Sequence, residues 1–175
     1  MRACTSFFLL LLGACHPNPT YSVGGHTLTV KDSGYITGDY FCQAAARGQL
    51  KLNLVDYDPI CGGTVGPNDP GGARDPQLEH NELELVFVTS AHMDPKLPYE
   101  VSVPDCMAGP AGPGIAYFKH YPTGSTMPDV ATAQNGSLFL TFLDPNDAKP
   151  AEGSFDLDFG AAGKVKGDFT TYTCN

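Results

Sequence analysis

The sequence contains no tryptophan and few basic residues: ten lysines and arginines stand against nineteen aspartates and glutamates, and the formal net charge is −9. The lysines form no cluster, so the chain lacks the basic surface that nucleic acid or an anionic lipid surface requires. Without tryptophan it also lacks the usual stacking platform for sugars. The composition therefore excludes nucleic acid as an expected partner and leaves another protein or a glycan as candidates.

The motifs of the common enzyme classes are also missing. The chain has no Gly-x-Ser-x-Gly elbow, no His-Glu-x-x-His pair and no glycine loop that cradles phosphate before a helix. No two cysteines have Cys-x-x-Cys spacing, which disfavours a zinc or redox site built on cysteine. We therefore expect a protein that is not an enzyme. A hydrolase whose serine, histidine and aspartate meet only in space is the less favoured alternative.

No apolar run approaches the roughly 20 residues that span a bilayer as a helix. The longest, residues 7–12, follows Arg2 and precedes the small residues Gly13 and Ala14. A positive residue, a short apolar stretch and small residues, in this order, are typical of a secretory signal peptide. We therefore expect the protein to be exported.

Residues 12–15, Leu-Gly-Ala-Cys, resemble the lipobox of bacterial lipoprotein signal peptides. The resemblance implies that residues 1–14 are removed and that Cys15 is lipidated and then acylated, so that the lipid bilayer is a partner through this residue. Two or more acyl chains anchor a protein stably, whereas one does not. His16 rather than aspartate follows the cysteine, which in this family favours the outer membrane. An ordinary secretory signal cleaved after Cys15, without lipid, is the alternative.

Four cysteines remain once the signal peptide and Cys15 are set aside: Cys42, Cys61, Cys106 and Cys174. An even number of cysteines in an exported chain predicts two disulfides. Three connectivities are open, and among them we favour Cys42–Cys61 with Cys106–Cys174. No cofactor is expected.

The domain organisation follows from local composition. Residues 15–25 contain two prolines and two glycines without a periodic apolar pattern, and we predict that they form a flexible stalk after the lipid. Residues 26–175 are long enough to bury a core of their own and are predicted to form one domain.

Within that domain, apolar residues recur with a period of two and no window has helical periodicity. Residues 49–54 are the clearest case, since Leu50, Leu52 and Leu54 alternate with polar residues. Residues 82–89 repeat the pattern. We predict an all-β fold, a single antiparallel β-sandwich of about nine strands, with a partly closed barrel as the alternative.

Two features predict how particular strands pair. Asn135-Gly136 is the strongest hairpin signal in the chain. Farther along, the apolar residues of two strands stay on one side of the sheet when Phe159 lies opposite Val165 and Phe155 lies opposite Phe169.

This second register has consequences for its neighbours. It places Asp156 opposite Asp168, a like-charge pair that destabilises a sheet unless it is screened or bridged. It also places Gly167 opposite Leu157, where the missing side chain indicates a bulge or a close approach by another side chain.

The closing part of the chain resembles the C-terminal end of small β-rich envelope lipoproteins of uncharacterised function. The resemblance is carried by Gly136-Ser137, residues 153–155, residues 166–169 and Cys174. It implies a β-meander and brings no catalytic residue with it.

A metal site is predicted as an alternative function around His80, Glu82 and Glu84. These residues share one face of a strand at intervals of about 7 Å, and His92 or Asp94 is available from the next loop. Imidazole and carboxylate are ligands of zinc and related ions. The competing interpretation is the solvent-exposed polar face of an amphipathic strand.

Other metal arrangements fit less well. The oxygen-rich turns at residues 68–69 and 144–147 suit calcium but do not match its loop motif. A copper site would need His92, His120 and the methionines at positions 93, 107 and 127, and the ordered Cys, His and Met ending of a blue-copper strand is missing.

Taken together, these patterns predict a lipid-anchored protein of the cell envelope with a non-enzymatic binding or structural role. A zinc- or calcium-binding envelope protein is the main alternative.

Overall fold

Most of the chain that the structure describes is β-strand. The computed structural model describes residues 18–38, 49–57, 75–88, 98–103, 114–142 and 151–173. In these ranges the helical structure is one short 3-10 turn, Gly160–Ala162. The strands are β1 (Thr20–Val23), β2 (His26–Thr29), β3 (Asp32–Gly38), β4 (Gln49–Val55), β5 (His80–Val88), β6 (Pro98–Ser102), β7 (Gly114–Tyr121), β8 (Asp129–Thr132), β9 (Asn135–Phe142), β10 (Ala151–Asp158) and β11 (Lys164–Thr173).

Nine of these strands form a nearly closed barrel. Their order is β5-β4-β3-β11-β10-β9-β6-β7-β8, and β7 also pairs with β5, which brings the two sides of the sheet together. Two contacts are short and parallel, β11 with β3 and β6 with β7, and the other pairings are antiparallel. The predicted all-β fold of about nine strands is confirmed, in its barrel form rather than as a sandwich.

The barrel interior is packed with apolar side chains that alternate along the strands. Leu50, Leu52 and Leu54 of β4 face inward, as their period of two predicts, and they are almost inaccessible to solvent. Leu83 and Leu85 of β5 lie beside them and are equally buried. Because side chains fill this interior, a binding surface is to be sought at the ends or on the outside of the barrel.

The two-stranded hairpin β1–β2 contributes to the same core. Tyr21, Val23 and Leu28 are buried in it, and the ring of Tyr21 packs edge-on against Phe155 with 5.1 Å between ring centroids. This differs from the predicted stalk of residues 15–25, because residues 20–25 belong to the folded domain. In β1 the period-two pattern consists of Tyr21 and Val23 alone. Two alternating apolar residues among prolines and glycines are too few to predict a strand from the sequence.

Gly167 explains why the hairpin fits so closely. A Cβ atom at this position would lie 2.4 to 2.8 Å from atoms of the Tyr21 ring, so a larger residue would displace that ring. The Tyr21 hydroxyl donates a hydrogen bond to the backbone carbonyl of Asp168 at 3.3 Å. The predicted close approach of another side chain to Gly167 is confirmed.

The register of β10 and β11 differs from the predicted one by two residues. Leu157 lies opposite Val165 and Phe155 lies opposite Gly167. A shift of two keeps every apolar residue on the inner face, so the hydrophobic pattern cannot distinguish the two registers. The connection decides between them, because the 3-10 turn and the hydrogen bond from Phe159 N to Gly163 O place Phe159 outside the strand pair.

The same shift changes the charge pairing on the outer face. Asp156 lies opposite Lys166, not Asp168, and Asp158 lies opposite Lys164. Both aspartates form ion pairs with these lysines, at 3.1 Å and 2.8 Å. The predicted like-charge pair is therefore wrong.

Asn135-Gly136 does not form the predicted hairpin. Both residues lie inside β9, where Gly136 pairs with Leu157 of β10 on one edge and Val101 of β6 on the other. The preceding strand β8 pairs with β7 instead. With neighbours on both edges of β9, the Asn-Gly pair is part of a strand and not a turn.

Several predictions fall outside the described residues. They concern the signal peptide and Cys15, the four cysteines Cys42, Cys61, Cys106 and Cys174, the ligand candidate His92, and the calcium turns at 68–69 and 144–147. The two disulfides and their connectivity thus stay predictions. In the part of the chain that is described, no helix has the length and apolarity needed to cross a membrane.

Candidate functional site

Strand β5 carries polar residues on both of its faces, and each face belongs to a different cluster. Glu82 and Glu84 lie on the outer face, opposite Lys119 and Tyr117 of β7. Asn81 lies on the other face, opposite His120. One cluster consists mainly of carboxylates paired with lysines, and the other contains two histidines.

The outer-face group is an ionic cluster of Lys51, Asn53, Glu82, Glu84 and Lys119. The Lys119 ammonium donates to Glu84 Oε2 at 2.6 Å and to Glu82 Oε1 at 3.2 Å, and Lys51 Nζ lies 2.7 Å from the same Glu84 oxygen. Asn53 donates from its amide to Glu82 at 2.9 Å. Glu82 is only 1 % exposed and Glu84 only 6 % exposed. Buried carboxylates at this depth are tolerated because the lysines neutralise them.

Burial and ion pairing oppose each other in the titration of this cluster. Burial alone would raise the pKa of Glu84, but Lys119 and Lys51 together outweigh it, and the pKa lies below its ordinary value. Burial alone would lower the pKa of Lys119, and the negative charges of Glu82 and Glu84 raise it instead. Burial and the charge of Glu84 raise the pKa of Tyr117 to about 12. The ionised cluster is therefore the stable form around neutral pH.

The pH dependence of unfolding should reflect these shifts. Glu84, with its lowered pKa, contributes stability above the ordinary value of 4.5, and this contribution is lost as the pH falls through the lowered pKa. Tyr117 and Lys119, with raised pKa values, contribute stability below about pH 10. The contribution of Tyr117 is lost as the pH rises through its pKa of about 12, and that of Lys119 is lost as the pH rises through its own raised pKa.

We expect the urea midpoint of unfolding to be highest between about pH 5 and pH 10 and to fall on both sides. The Glu84→Gln variant should show a shallower decline in acid, and Tyr117→Phe a shallower decline in alkali. Variants whose acid and alkaline slopes match those of the original chain would contradict this assignment.

The predicted metal site at His80, Glu82 and Glu84 does not form in the described part of the chain. The two carboxylates form ion pairs with Lys51 and Lys119, and the potential ligand set among the described residues is His26, Glu79 and His120 instead. The alternative interpretation, a solvent-exposed polar face, is also wrong, because this face of β5 is buried. The sequence of β5 alone could not predict that this polar face is buried, since the lysines that neutralise it come from β4 and β7.

His80 is held by two acceptors. Its Nδ1 lies 3.2 Å from the Asp56 carboxylate and its Nε2 lies 3.1 Å from the backbone carbonyl of Asp75. Each ring nitrogen thus has a polar partner from a different segment of the chain. His80 therefore acts as a structural link between β5 and the segments around Asp56 and Asp75.

The second group, the histidine cluster, consists of His26, Glu79, Asn81 and His120. The imidazole rings of His26 and His120 are stacked, with 3.6 Å between centroids and an interplanar angle of 16°. His120 Nδ1 lies 3.1 Å from the Asn81 side-chain oxygen and 3.7 Å from Glu79 Oε1. One potential ligand atom from each of His26, Glu79 and His120 lies within 4.8 Å of the other two.

These residues come from three separate segments of the chain. His26 is the first residue of β2, directly after the Gly24-Gly25 turn, in which both glycines have positive φ angles. Glu79 immediately precedes β5, and His120 is the last but one residue of β7. Because these three segments are far apart in sequence, no local spacing pattern could predict the cluster. His120 had a place only in the copper arrangement, whose Met127 is 77 % exposed and whose other sulfur ligands lie outside the described residues.

An open depression adjoins the histidine cluster. Its volume is about 340 Å³, and it is lined by Thr27, Thr29, Lys31, Asp56, Leu78, Glu79 and His80. Glu79 thus belongs to both, and Leu78 next to it is an exposed apolar residue. Polar and charged groups from β2 of the hairpin, from β5 and from the segment before β5 converge in this depression.

The chain matches no protein-family model, and neither a curated protein nor a solved structure is significantly similar to it. The function must therefore be argued from the geometry of these two clusters and from the sequence before the domain.

Proposed function

We propose that the protein is exported to the bacterial cell envelope, is anchored there in the outer membrane through lipid on Cys15, and serves as a non-enzymatic binding protein. Its ligand occupies the surface formed by the histidine cluster and the adjoining depression. The observation that carries the binding role is that His26, Glu79 and His120, from three segments of the chain, converge beside the β1–β2 hairpin. The interior of the barrel is filled by apolar side chains, so the ligand binds outside it.

Three features support a binding role rather than catalysis. The carboxylates of the ionic cluster are neutralised by lysines at 2.6 to 3.2 Å. The His80 ring links separate segments, with the Asp56 carboxylate at 3.2 Å and the Asp75 carbonyl at 3.1 Å. The barrel itself is a rigid frame, and rigid frames that present polar groups at one end are common in recognition domains.

The ligand classes that this surface accommodates are a metal ion, a glycan and a segment of another envelope protein. The net charge of −9 disfavours nucleic acid. The lipid bilayer remains a partner through Cys15 and not through the domain surface, because the few basic residues form no patch.

The proposed localisation and lipid anchor are tested by replacing Cys15 in the lipobox-like segment. We expect Cys15→Ala either to accumulate as uncleaved precursor or to become soluble, because the acyl chains have no other attachment point. The measurement is fractionation of the native envelope together with the intact mass of the mature chain, which should start at Cys15 and carry acyl mass.

The matched control is Cys4→Ala, whose change lies in the segment that is removed. This variant should be processed and fractionate like the original chain. A processed Cys15→Ala chain that still fractionates with the membrane would contradict the lipid anchor.

The binding half of the proposal is tested by comparing the mass of the envelope-purified protein under native and denaturing conditions. We expect a non-covalent mass difference that is reduced by Glu79→Gln, which changes an exposed side chain of the depression. Identical native and denatured masses in freshly isolated protein would contradict a bound ligand.

A further inference from the structure

We propose that the histidine cluster is a site for a divalent transition-metal ion of the zinc type, held by His26, Glu79 and His120. This inference rests on the proposed binding function and names its ligand class. It shares no residue with the metal site predicted from sequence around His80, Glu82 and Glu84.

The separations between donor atoms suit a small tetrahedral ion. Zinc bonds to nitrogen and oxygen of 2.0–2.2 Å place neighbouring ligand atoms roughly 3.3 Å apart. In the structure, His120 Nδ1 is 3.7 Å from Glu79 Oε1, and all three ligand atoms lie within 4.8 Å of one another. A shortening of these separations, together with a rotation of the His26 ring, would therefore bring the set to bonding distance.

The Asn81 side chain is oriented toward the same point. Its amide nitrogen lies 3.2 Å from both the Thr27 carbonyl and Asp56 Oδ2, which are acceptors, so the amide must present its oxygen to His120. Without a metal ion, His120 Nδ1 donates to that oxygen at 3.1 Å. An ion bound at Nδ1 takes the place of this proton, which is released to solvent, and finds the Asn81 oxygen as a fourth donor. Two imidazoles, one carboxylate and one amide oxygen complete a four-coordinate set.

The supports behind these ligands are buried and fixed. Asp56 Oδ2 also accepts a hydrogen bond from the Asn81 backbone nitrogen at 2.9 Å, and the other oxygen of the same carboxylate contacts His80. Asn81 and His120 are 5 % and 8 % exposed. Hydrogen bonds that orient the metal-binding side chains in this way are typical of metal sites.

The stacked rings show which part of the site must move. The lone pair of an imidazole nitrogen lies in the plane of its ring, and the two nearly parallel ring planes, with 3.6 Å between centroids, do not meet near the rings, so both nitrogens cannot bind one ion while the rings remain stacked. His120 is buried, whereas His26 is half-buried and follows a two-glycine turn. Metal binding therefore turns the His26 ring out of the stack and links the hairpin to β7 and to the segment before β5.

The donor set also selects among ions. Two imidazole nitrogens favour zinc, cobalt, nickel and copper over calcium and magnesium, which take oxygen ligands almost exclusively. The ion that suits the site is thus of the transition-metal class.

Cobalt provides the sharpest probe, because Co²⁺ has visible absorption bands that reveal tetrahedral coordination. The full chain, solubilised in detergent and stripped with a chelator, would be titrated with Co²⁺ and the bound Co²⁺ then displaced with Zn²⁺. We expect one Co²⁺ per chain with a tetrahedral spectrum, and at least tenfold weaker binding in His26→Ala and in Glu79→Gln. Both positions are at least partly exposed, so the fold should survive these changes.

The matched control is Glu152→Gln, an exposed carboxylate on β10 away from the site, which should bind Co²⁺ within twofold of the original chain. The proposal is overturned by a chain that binds no Co²⁺, or by one whose binding is equal in all three variants. An acylated protein that carries a non-metal ligand at the same surface would overturn the metal while leaving the proposed function intact. Conversely, a soluble, unacylated chain with the expected Co²⁺ spectrum would support the metal site and contradict the proposed lipid anchor.

Discussion

Replacing Lys119 with methionine should lower the free energy of unfolding by about 3–5 kcal/mol, the usual cost of leaving a buried charge without its partner. The side chain of Lys119 is 17 % exposed and its ammonium contacts both Glu82 and Glu84. Methionine keeps most of the length and volume of the lysine stem but removes the charge. Lys51 remains beside Glu84, at 2.7 Å. The measurement is urea unfolding of the full chain followed by circular dichroism.

Lys166→Met is the matched control for this prediction. Lys166 also pairs with an aspartate across neighbouring strands, at 3.1 Å, but its side chain is 79 % exposed. Solvent screens such a pair, so the unfolding midpoint should not change measurably. Adding Glu82→Gln to Lys119→Met should restore part of the lost stability, because it removes a buried negative charge that has lost its Lys119 partner. Equal midpoints for the two methionine variants would contradict the buried cluster.

Gly136→Ala should destabilise the protein by about 3 kcal/mol or more, the combined cost of backbone strain and overpacking. Gly136 has a φ angle of +135°, which residues with a Cβ rarely adopt. That Cβ would also lie 2.2 Å from the backbone oxygen of Asp156 and 3.0 Å from the Leu157 Cα. Both obstacles are backbone atoms of β10, so the contact can be relieved only by moving the strand. Urea unfolding and the amide-exchange rates of β9 and β10 would measure the loss.

Gly124→Ala separates the two causes. Its φ of +79° is also positive, but a Cβ there would meet no atom within 4 Å. We therefore expect only the strain term, roughly 1–2 kcal/mol. If the two alanine variants lose the same stability, then the close approach of β9 and β10 contributes nothing.

The strand content and the inner face of the barrel could be predicted from sequence, because a period of two is a local property. The leucines of β4 and the alternation in β5 are examples, and both sets are buried as expected. The same property leaves the register of β10 and β11 undecided, since a shift of two residues preserves the inner face. The geometry of the turn at Gly160–Ala162 determines the register of these two strands, and this geometry cannot be derived from the hydrophobic pattern.

Neither cluster of the candidate site could be predicted in this way. Glu82 and Glu84 alternate like the polar residues of an exposed strand, and only the closure of the barrel places Lys119 and Lys51 beside them. The histidine cluster depends equally on tertiary structure, since the hairpin brings His26 against β7. Period-two patterns identify which residues share a face, but not which faces meet.

The way the barrel closes has a further consequence for the order of events in folding. The last strand described, β11, lies between β10 and β3, and Tyr21 of the hairpin bonds to Asp168 of that strand across 147 positions of sequence. Neither β3 nor the hairpin can acquire its final neighbours until β11 is present. Folds dominated by such distant contacts form slowly, on a scale of milliseconds to seconds. The barrel therefore closes only after the final strand has joined it.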